Sequence, residues 1–452
     1  MSEASSVSER ALQIWKAGVK AVDSESLVCN AIQVTDHELT VCGHSISLQG
    51  HENLLVVGAG KAGSGMAAGV EAALNGALLE QRTSGWVNVP ADCVRPLSHI
   101  HLYPARPASL NEPTAEGVYG SRQILQKISN LKQDDICLVL ISGGGSALLP
   151  APLPPVTLED KQSVTRLLMS SGATIQELNC VRKQISQIKG GRLAAAATCG
   201  TLITLIISDV VGDPLDIIAS GPTVPDSSTP TEALEILNRF VSDPQQVPDS
   251  IWSVLKADQT SLPAQAVSGQ TKVLNQIIGS NATALEAAKK KAEEAGYEIV
   301  SLGSENEGTA SGTGIELAEL CLKIRGGEGP GSKPVCILSG GEPVVDLSST
   351  QNPGKGGRNQ EVVLAALQRL WEEDLAGICI LSGGTDGEDG PTDAAGGILD
   401  SLVLQRAHAL PIDPAPFLKD HNSYPCLAQV GGLLKTGATH TNVMDLRVAL
   451  VE

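Results

Sequence analysis

The chain has 452 residues, 32 Lys and Arg against 50 Asp and Glu, a formal net charge of -18, and 42% hydrophobic but only 2% aromatic residues. Long-range repulsion opposes encounter with phosphodiester backbones and anionic bilayers, and platforms for stacking single-stranded bases are scarce, so neither nucleic acid nor membrane is an expected partner. The length allows two sizeable cores, and with 47 glycines and so few rings they must be built from Ala, Leu, Val and Ile, the usual material of helices over a parallel sheet.

The N-terminus, MSEASSVSERALQIW, has neither an apolar signal core nor an Arg-rich, acid-poor character, and no apolar stretch reaches bilayer length. Ten cysteines include no C-x-x-C pair, and Cys137, Cys336 and Cys379 sit inside apolar runs as small hydrophobes. A cytoplasmic protein is expected.

Six apolar runs end in glycine or a small polar residue: NLLVVGAGKAG, ICLVLISGGGSA, TLITLIISDVVGD, LNQIIGSNATA, VCILSGGEP and GICILSGGTDG. Such runs predict strands buried on both faces. KAGSGMAAGVEAAL, NATALEAAKKKAEEAG and NQEVVLAALQRLWEED carry helical spacing, the second with Asn281 as N-cap candidate and Gly296 as stop. Alternating strands and helices predict an α/β fold with a doubly wound parallel sheet, whose ligands gather where strand carboxyl ends meet helix amino ends. A stretch rich in Pro, Ser, Asp and Gln between Gly221 and about Gln270 is the expected boundary, giving domains 1–265 and 266–452.

In LLVVGAGKAGSG, Gly58, Gly60 and Gly63 have the G-x-G-x-x-G spacing. A dinucleotide site also needs an acid closing the next strand, and after GWVNVP the first acid is Asp92, late and beyond Pro90. Close packing explains the glycines equally well, but Lys61 inside the turn suits a terminal phosphate or carboxylate. Ser142, Gly143, Gly144, Gly145 and Ser146 form a second loop whose amides are able to converge on an anion, or merely a tight turn. Arg182, Lys183, Lys189 and Arg192 crowd one helix-like segment; a solvated face accounts for Lys183 and Arg192, and either a solvated face or an anion-facing role for Arg182 and Lys189.

Asp209 follows an apolar strand, as a base, a Mg2+ ligand or a turn cap. The loop at 382–397 holds Asp386, Glu388, Asp389 and Asp393 without EF-hand register, and suits Mg2+ or a Mg-nucleotide. NPGKGGRNQE offers Arg358 and Asn359 at a helix start, with Glu342 nearby in SGGEP. No Walker A, H-R-D, D-F-G or G-x-S-x-G string occurs, and no Cys/His cluster has zinc spacing.

The strings VVGAGKA, LISGGGSALL, VRKQISQIKGGRLA, ISDVVGDPLDIIASGPT, LSGGEPVV, GKGGRNQE, LSGGTDGEDGPTDAAG and TNVMDLRVAL together resemble the class II glycerate kinases with their C-terminal MOFRL module, from about residue 8 to 450. The resemblance implies two three-layer α/β/α domains with largely parallel, Rossmann-like sheets enclosing a cleft, and phosphorylation of D-glycerate to 2-phosphoglycerate with ATP and Mg2+. It makes Lys61 and Arg358 the cations facing substrate and transferring phosphoryl group; the residues themselves suggest Asp209 as base or metal ligand and Asp386 with Asp389 as Mg2+ ligands. Gly60, the 142–146 loop, Arg182, Lys189, Glu342 and Asn359 complete the expected site. The chain departs from the family pattern at Gln184 and His440. An NAD(P)H-dependent hydroxypyruvate reductase and a silent sugar-acid sensor are the competing functions.

Overall fold

A computed structural model describes residues 6–108, 112–257, 271–331, 334–348, 350 and 352–452. The chain forms two compact units, one of Ser24–Ile278 and one of Met1–Asp23 with Gly279–Glu452. The expected boundary at 265/266 lies outside the described residues. The compact units instead meet at 278/279, and the N-terminal segment joins the second unit.

The first unit opens with a small antiparallel sheet of β1 (Ile32–Val34), β2 (Glu38–Val41) and β3 (His44–Ser47). Its main sheet comprises β4 (Leu54–Ala59), β5 (Thr83–Pro90), β6 (Ile100–Arg106), β7 (Ile136–Ile141), β8 (Thr201–Ile207) and β9 (Lys272–Gly279). Their spatial order is β6-β5-β4-β7-β8-β9, and β4 pairs in parallel with both β5 and β7. That is the order of dinucleotide-binding sheets, in which the winding direction reverses between the first and fourth strands and opens a crevice at their carboxyl ends. Every residue of β4 and β7 is buried, as their uninterrupted apolar runs require.

The glycines of the first loop serve packing. Gly58 lies opposite Leu140, where a side chain would strike the Leu140 carbonyl, and Gly63 lets the helix Gly63–Leu74 settle on Val87 and Val89. Gly65 and Gly69 likewise admit the helix Ser24–Ala31. Helices Leu158–Ser170, Ile175–Gln184, Pro230–Phe240 and Asp249–Lys256 pack on a core of their own that includes Val164, Val181, Leu237 and Ile251.

The second unit is built on β10 (Glu298–Ser301), β11 (Val335–Gly341), β12 (Ile378–Gly384), β13 (Gly396–Leu399), β14 (Leu433–Leu434) and β15 (Asp445–Val451), ordered β10-β11-β15-β12-β13-β14. Here a largely parallel sheet was expected, but only β10 and β11 pair in parallel; β15 runs antiparallel to β11 and β12, and β12–β13 and β13–β14 are antiparallel too. The helix Val7–Ala21 covers this sheet, with Trp15 buried and its Nε1 donating to the Leu446 carbonyl at 3.1 Å. Ser280, not Asn281, caps the helix Asn281–Glu294, while Gly296 adopts the positive φ of 89° that ends it. Among the described residues no helix is long and apolar enough to cross a membrane.

Candidate active site

The two glycine-rich loops of the first unit meet at the crevice between β4 and β7. The Lys61 amide donates to the Gly143 carbonyl at 2.8 Å, and the Ala62 amide to Ser142 Oγ at 3.0 Å, so each loop fixes the other. Gly60 takes a φ of 153° against Ser142, leaving no room for a side chain. Gly144 is left-handed at φ 74°, and a Cβ there would stand 3.5 Å from Lys61 Cγ and 3.7 Å from an Arg106 terminal nitrogen. Lys61 and Arg106 thus flank this loop. Arg106 is only 3% exposed and was not legible as a site residue, although a cation ending a strand was the available signal.

Behind the loop, Lys189 Nζ donates to Ser146 Oγ at 2.7 Å and to the Ser146 carbonyl at 3.1 Å, and an Arg182 terminal nitrogen donates to the same Ser146 hydroxyl. Ser146 Oγ lies 3.2 Å from Ser220 Oγ, which donates to Asn179 Oδ1 at 3.1 Å. Burial, followed by the charges of Arg182, Lys161 and Lys183, holds the Lys189 ammonium well below its ordinary value. Gly60, the 142–146 loop, Lys61, Arg182 and Lys189 are therefore gathered in one region of one unit.

Two neighbouring cations depart from expectation. Lys183 is buried, 3.3 Å from Asp216 and 3.4 Å from Asp226, and Arg192 donates to the Lys183 carbonyl at 2.7 Å, so neither is a solvated charge. Arg192 ties the end of the helix Ile175–Gln184 to the turn after it, and Lys183 ties it to the segment that follows β8. Gln184 is buried as well, donating to Asp226 at 3.0 Å and to the Ser228 carbonyl at 2.9 Å, which makes it a packing residue. Asp209 stands two residues beyond β8 and is half-buried, at the carboxyl edge of the sheet as expected.

The other expected residues belong to the second unit. The loop after β11 supplies Glu342, and the helix Arg358–Arg369 begins with Arg358 and Asn359. Arg358 Nε and a terminal nitrogen reach Asp445 at 2.7 and 3.0 Å, while its other terminal nitrogen reaches Glu342 at 2.7 Å. Burial pulls the guanidinium down, but Asp445 and Glu342 outweigh it and hold it above its ordinary value. Burial also raises the Glu342 carboxyl, against the pull of Arg358 and with Asp386 adding to the rise. Arg358, expected to face substrate and transferring phosphoryl group, is thus a half-exposed cation already paired with two acids.

Asp386 and Asp389 were expected to hold Mg2+ together. Asp389 is instead 3% exposed, and its two oxygens accept from the amides of Asn359 at 3.0 Å and Gln360 at 2.9 Å, capping the helix that starts at Arg358. Asp386 accepts the Glu388 amide at 3.1 Å, and among the described residues no three His, Cys, Asp or Glu are placed to hold a metal. The pair does not fit a resident Mg2+ site. Glycines hid this: Gly357 and Gly390 admit close backbone approach that buries an acid the sequence shows only as part of a polar loop.

Burial lifts the Asp389 carboxyl to about 6. The folded protein therefore takes up this proton before the unfolded chain does, and stability contributed here falls as pH rises from about 4 to about 6. Asp389→Asn is expected to flatten that part of the profile, read as a smaller drop in Tm between those pH values than in the parent protein.

Residues 10–256 match the family described as "Domain of unknown function (DUF4147)", and residues 335–445 match the MOFRL family. Glycerate kinase of Homo sapiens is 38% identical, over 98% of this chain and 93% of its own. Glycerate 2-kinase of Pyrococcus horikoshii is 36% identical over 98% of this chain and 97% of its own. The crystal structure of glycerate kinase from Thermotoga maritima superposes with a TM-score of 0.83 at 32% identity, covering 98% of this chain and 99% of that one. The chain belongs to the glycerate kinase family. A dinucleotide reading of the first loop fares worse: β5 ends at Pro90, and Asp92 is exposed in the turn beyond it, so no acid closes that strand to hold a ribose.

Proposed function

We propose that this member of the glycerate kinase family transfers the γ-phosphoryl group of Mg-ATP to the 2-hydroxyl of D-glycerate, giving 2-phosphoglycerate and ADP, in the cytoplasm. The observation that carries the reading is Lys61 with Arg106 beside the glycine-rich 142–146 loop at the switch point of the first sheet, a concentrated positive site in a chain of net charge -18. The hydroxyl oxygen forms its bond to the γ-phosphorus as the bond from that phosphorus to the β,γ-bridging oxygen breaks. Lys61 and the loop amides stabilise charge on the migrating group, and Asp209 accepts the hydroxyl proton. In the second unit Asp445 and Glu342 orient Arg358, the cation that the family resemblance assigns to the substrate and the transferring phosphoryl group. Mg2+ arrives on the nucleotide, as part of the substrate.

The test is product identification. ADP release should depend on D-glycerate, with phosphorus NMR placing the new ester at the 2-position. NADH consumption with hydroxypyruvate and no glycerate-dependent ADP would make the protein a reductase, and glycerate binding in calorimetry without turnover under saturating Mg-ATP would make it a sensor.

A further inference from the structure

Lys161, on the helix Leu158–Ser170, is 1% exposed, and its ammonium is buried with no hydrogen-bond partner. It lies in the field of Arg182, and Lys189 in turn feels both. Lys189 is fully buried, and Nε of Arg182 is buried without a partner. Among the described residues, no carboxylate forms an ion pair with any of the three. The nearby acids Asp216 and Asp226 are engaged by Lys183.

Cations so buried are costly without a counter-charge, and burial with the Arg182 charge brings Lys161 down to about 7. Lys189 Nζ is satisfied by Ser146, Ala219 and Ser220 and adds charge only, whereas Arg182 reaches Ser146 and, at 3.4 Å, Asn179 Oδ1, so that its Nε and the Lys161 ammonium leave donor capacity over. Gly144, Ser146 and Arg182 keep partial exposure while Lys161 and Lys189 do not, so an anion has an open approach with buried charge behind it. The planar fork of Arg182 suits a two-oxygen carboxylate.

We propose that Lys161, Arg182 and Lys189 together anchor the carboxylate of the hydroxy-acid substrate beside Ser146, and that Lys161 makes the site select an acid over its neutral analogue. The identity of the acid rests on the kinase reading above; the cationic anchor does not.

Lys161→Met tests it by three measurements on the full chain. Calorimetric affinity for D-glycerate should fall about tenfold or more. The parent's preference for D-glycerate over neutral D-glyceramide should largely vanish, and in turnover the KM for D-glycerate should rise by a larger factor than kcat falls. Without ligand, the thermal midpoint should rise by a few degrees, because an uncompensated buried charge has gone; a purely structural lysine would lower it. Lys161→Gln should reproduce both shifts. Unchanged glycerate affinity, retained acid-over-amide preference, or a lower midpoint or misfolding in both variants overturns the proposal. A parent protein that binds D-glycerate without phosphorylating it would refute the kinase reading and leave the anchor standing; one that does not bind it refutes the anchor.

Discussion

Replacing Lys61 with alanine is expected to lower kcat/KM for D-glycerate phosphorylation by about 10²–10³-fold with little change in thermal stability. The two effects separate because the backbone at this position holds the loop: the Lys61 amide is bound to Gly143 and the Ala62 amide to Ser142. What alanine removes is a cation at the mouth of the crevice between β4 and β7, where charge must spread over the oxygens of the transferring group. Lys61→Arg should recover only part of the loss, since a flat fork replaces a compact ammonium. Steady-state ADP release and circular dichroism on the same samples decide the matter. A loss of less than about tenfold for the alanine variant would take Lys61 out of the chemistry.

The second large effect is expected at Asp445, which is 0% exposed. Its carboxylate accepts two hydrogen bonds from Arg358 and one from Asn359 Nδ2 at 2.9 Å. Removing one member of a buried pair leaves the other uncompensated, so Asp445→Ala should destabilise the second unit by about 3–5 kcal/mol. Arg358 would keep only the half-exposed Glu342, and the neighbouring buried Arg447 would lose the acid that offsets its repulsion from Arg358. Denaturant unfolding measures the stability. An accompanying fall in kcat/KM in the fraction that remains folded would show that Arg358 acts only when Asp445 aims it. A loss below about 1 kcal/mol would mean that Glu342 alone suffices.

Those residues show which features were readable from the chain. Strands β4, β7, β8, β11 and β12 stood out because uninterrupted apolar runs have no other economical reading, and the first loop was legible because strand, turn and helix adjoin in sequence. Strand β15 was harder: Asp445 and Arg447 interrupt its pattern, yet both are buried, Arg447 donating to Ser339 Oγ at 3.1 Å and to the Gly340 carbonyl at 2.6 Å. Charge in a central strand defeats any rule that equates polarity with surface. Strand β6 was similarly masked by His101, Tyr103 and Pro104. Within the site, Arg106 reaches the 142–146 loop only through tertiary packing, so its sequence neighbours carry no trace of it. Asp389 looked like an open ligand because burial, unlike residue type, is not written locally.

The placement of β15 between β11 and β12, with Trp15 bound to Leu446, sets an order of events during synthesis. The Ser24–Ile278 unit has its whole sheet outside the ribosome while the other unit still lacks its middle strand. The helix Val7–Ala21 packs on the helix Asn281–Glu294 and on β12 as well as on β15, so only the last part of its apolar face waits for more than four hundred residues. Clipping the chain just before residue 445 would take the middle strand and the Leu446 carbonyl from beneath that helix while sparing the earlier-folding unit.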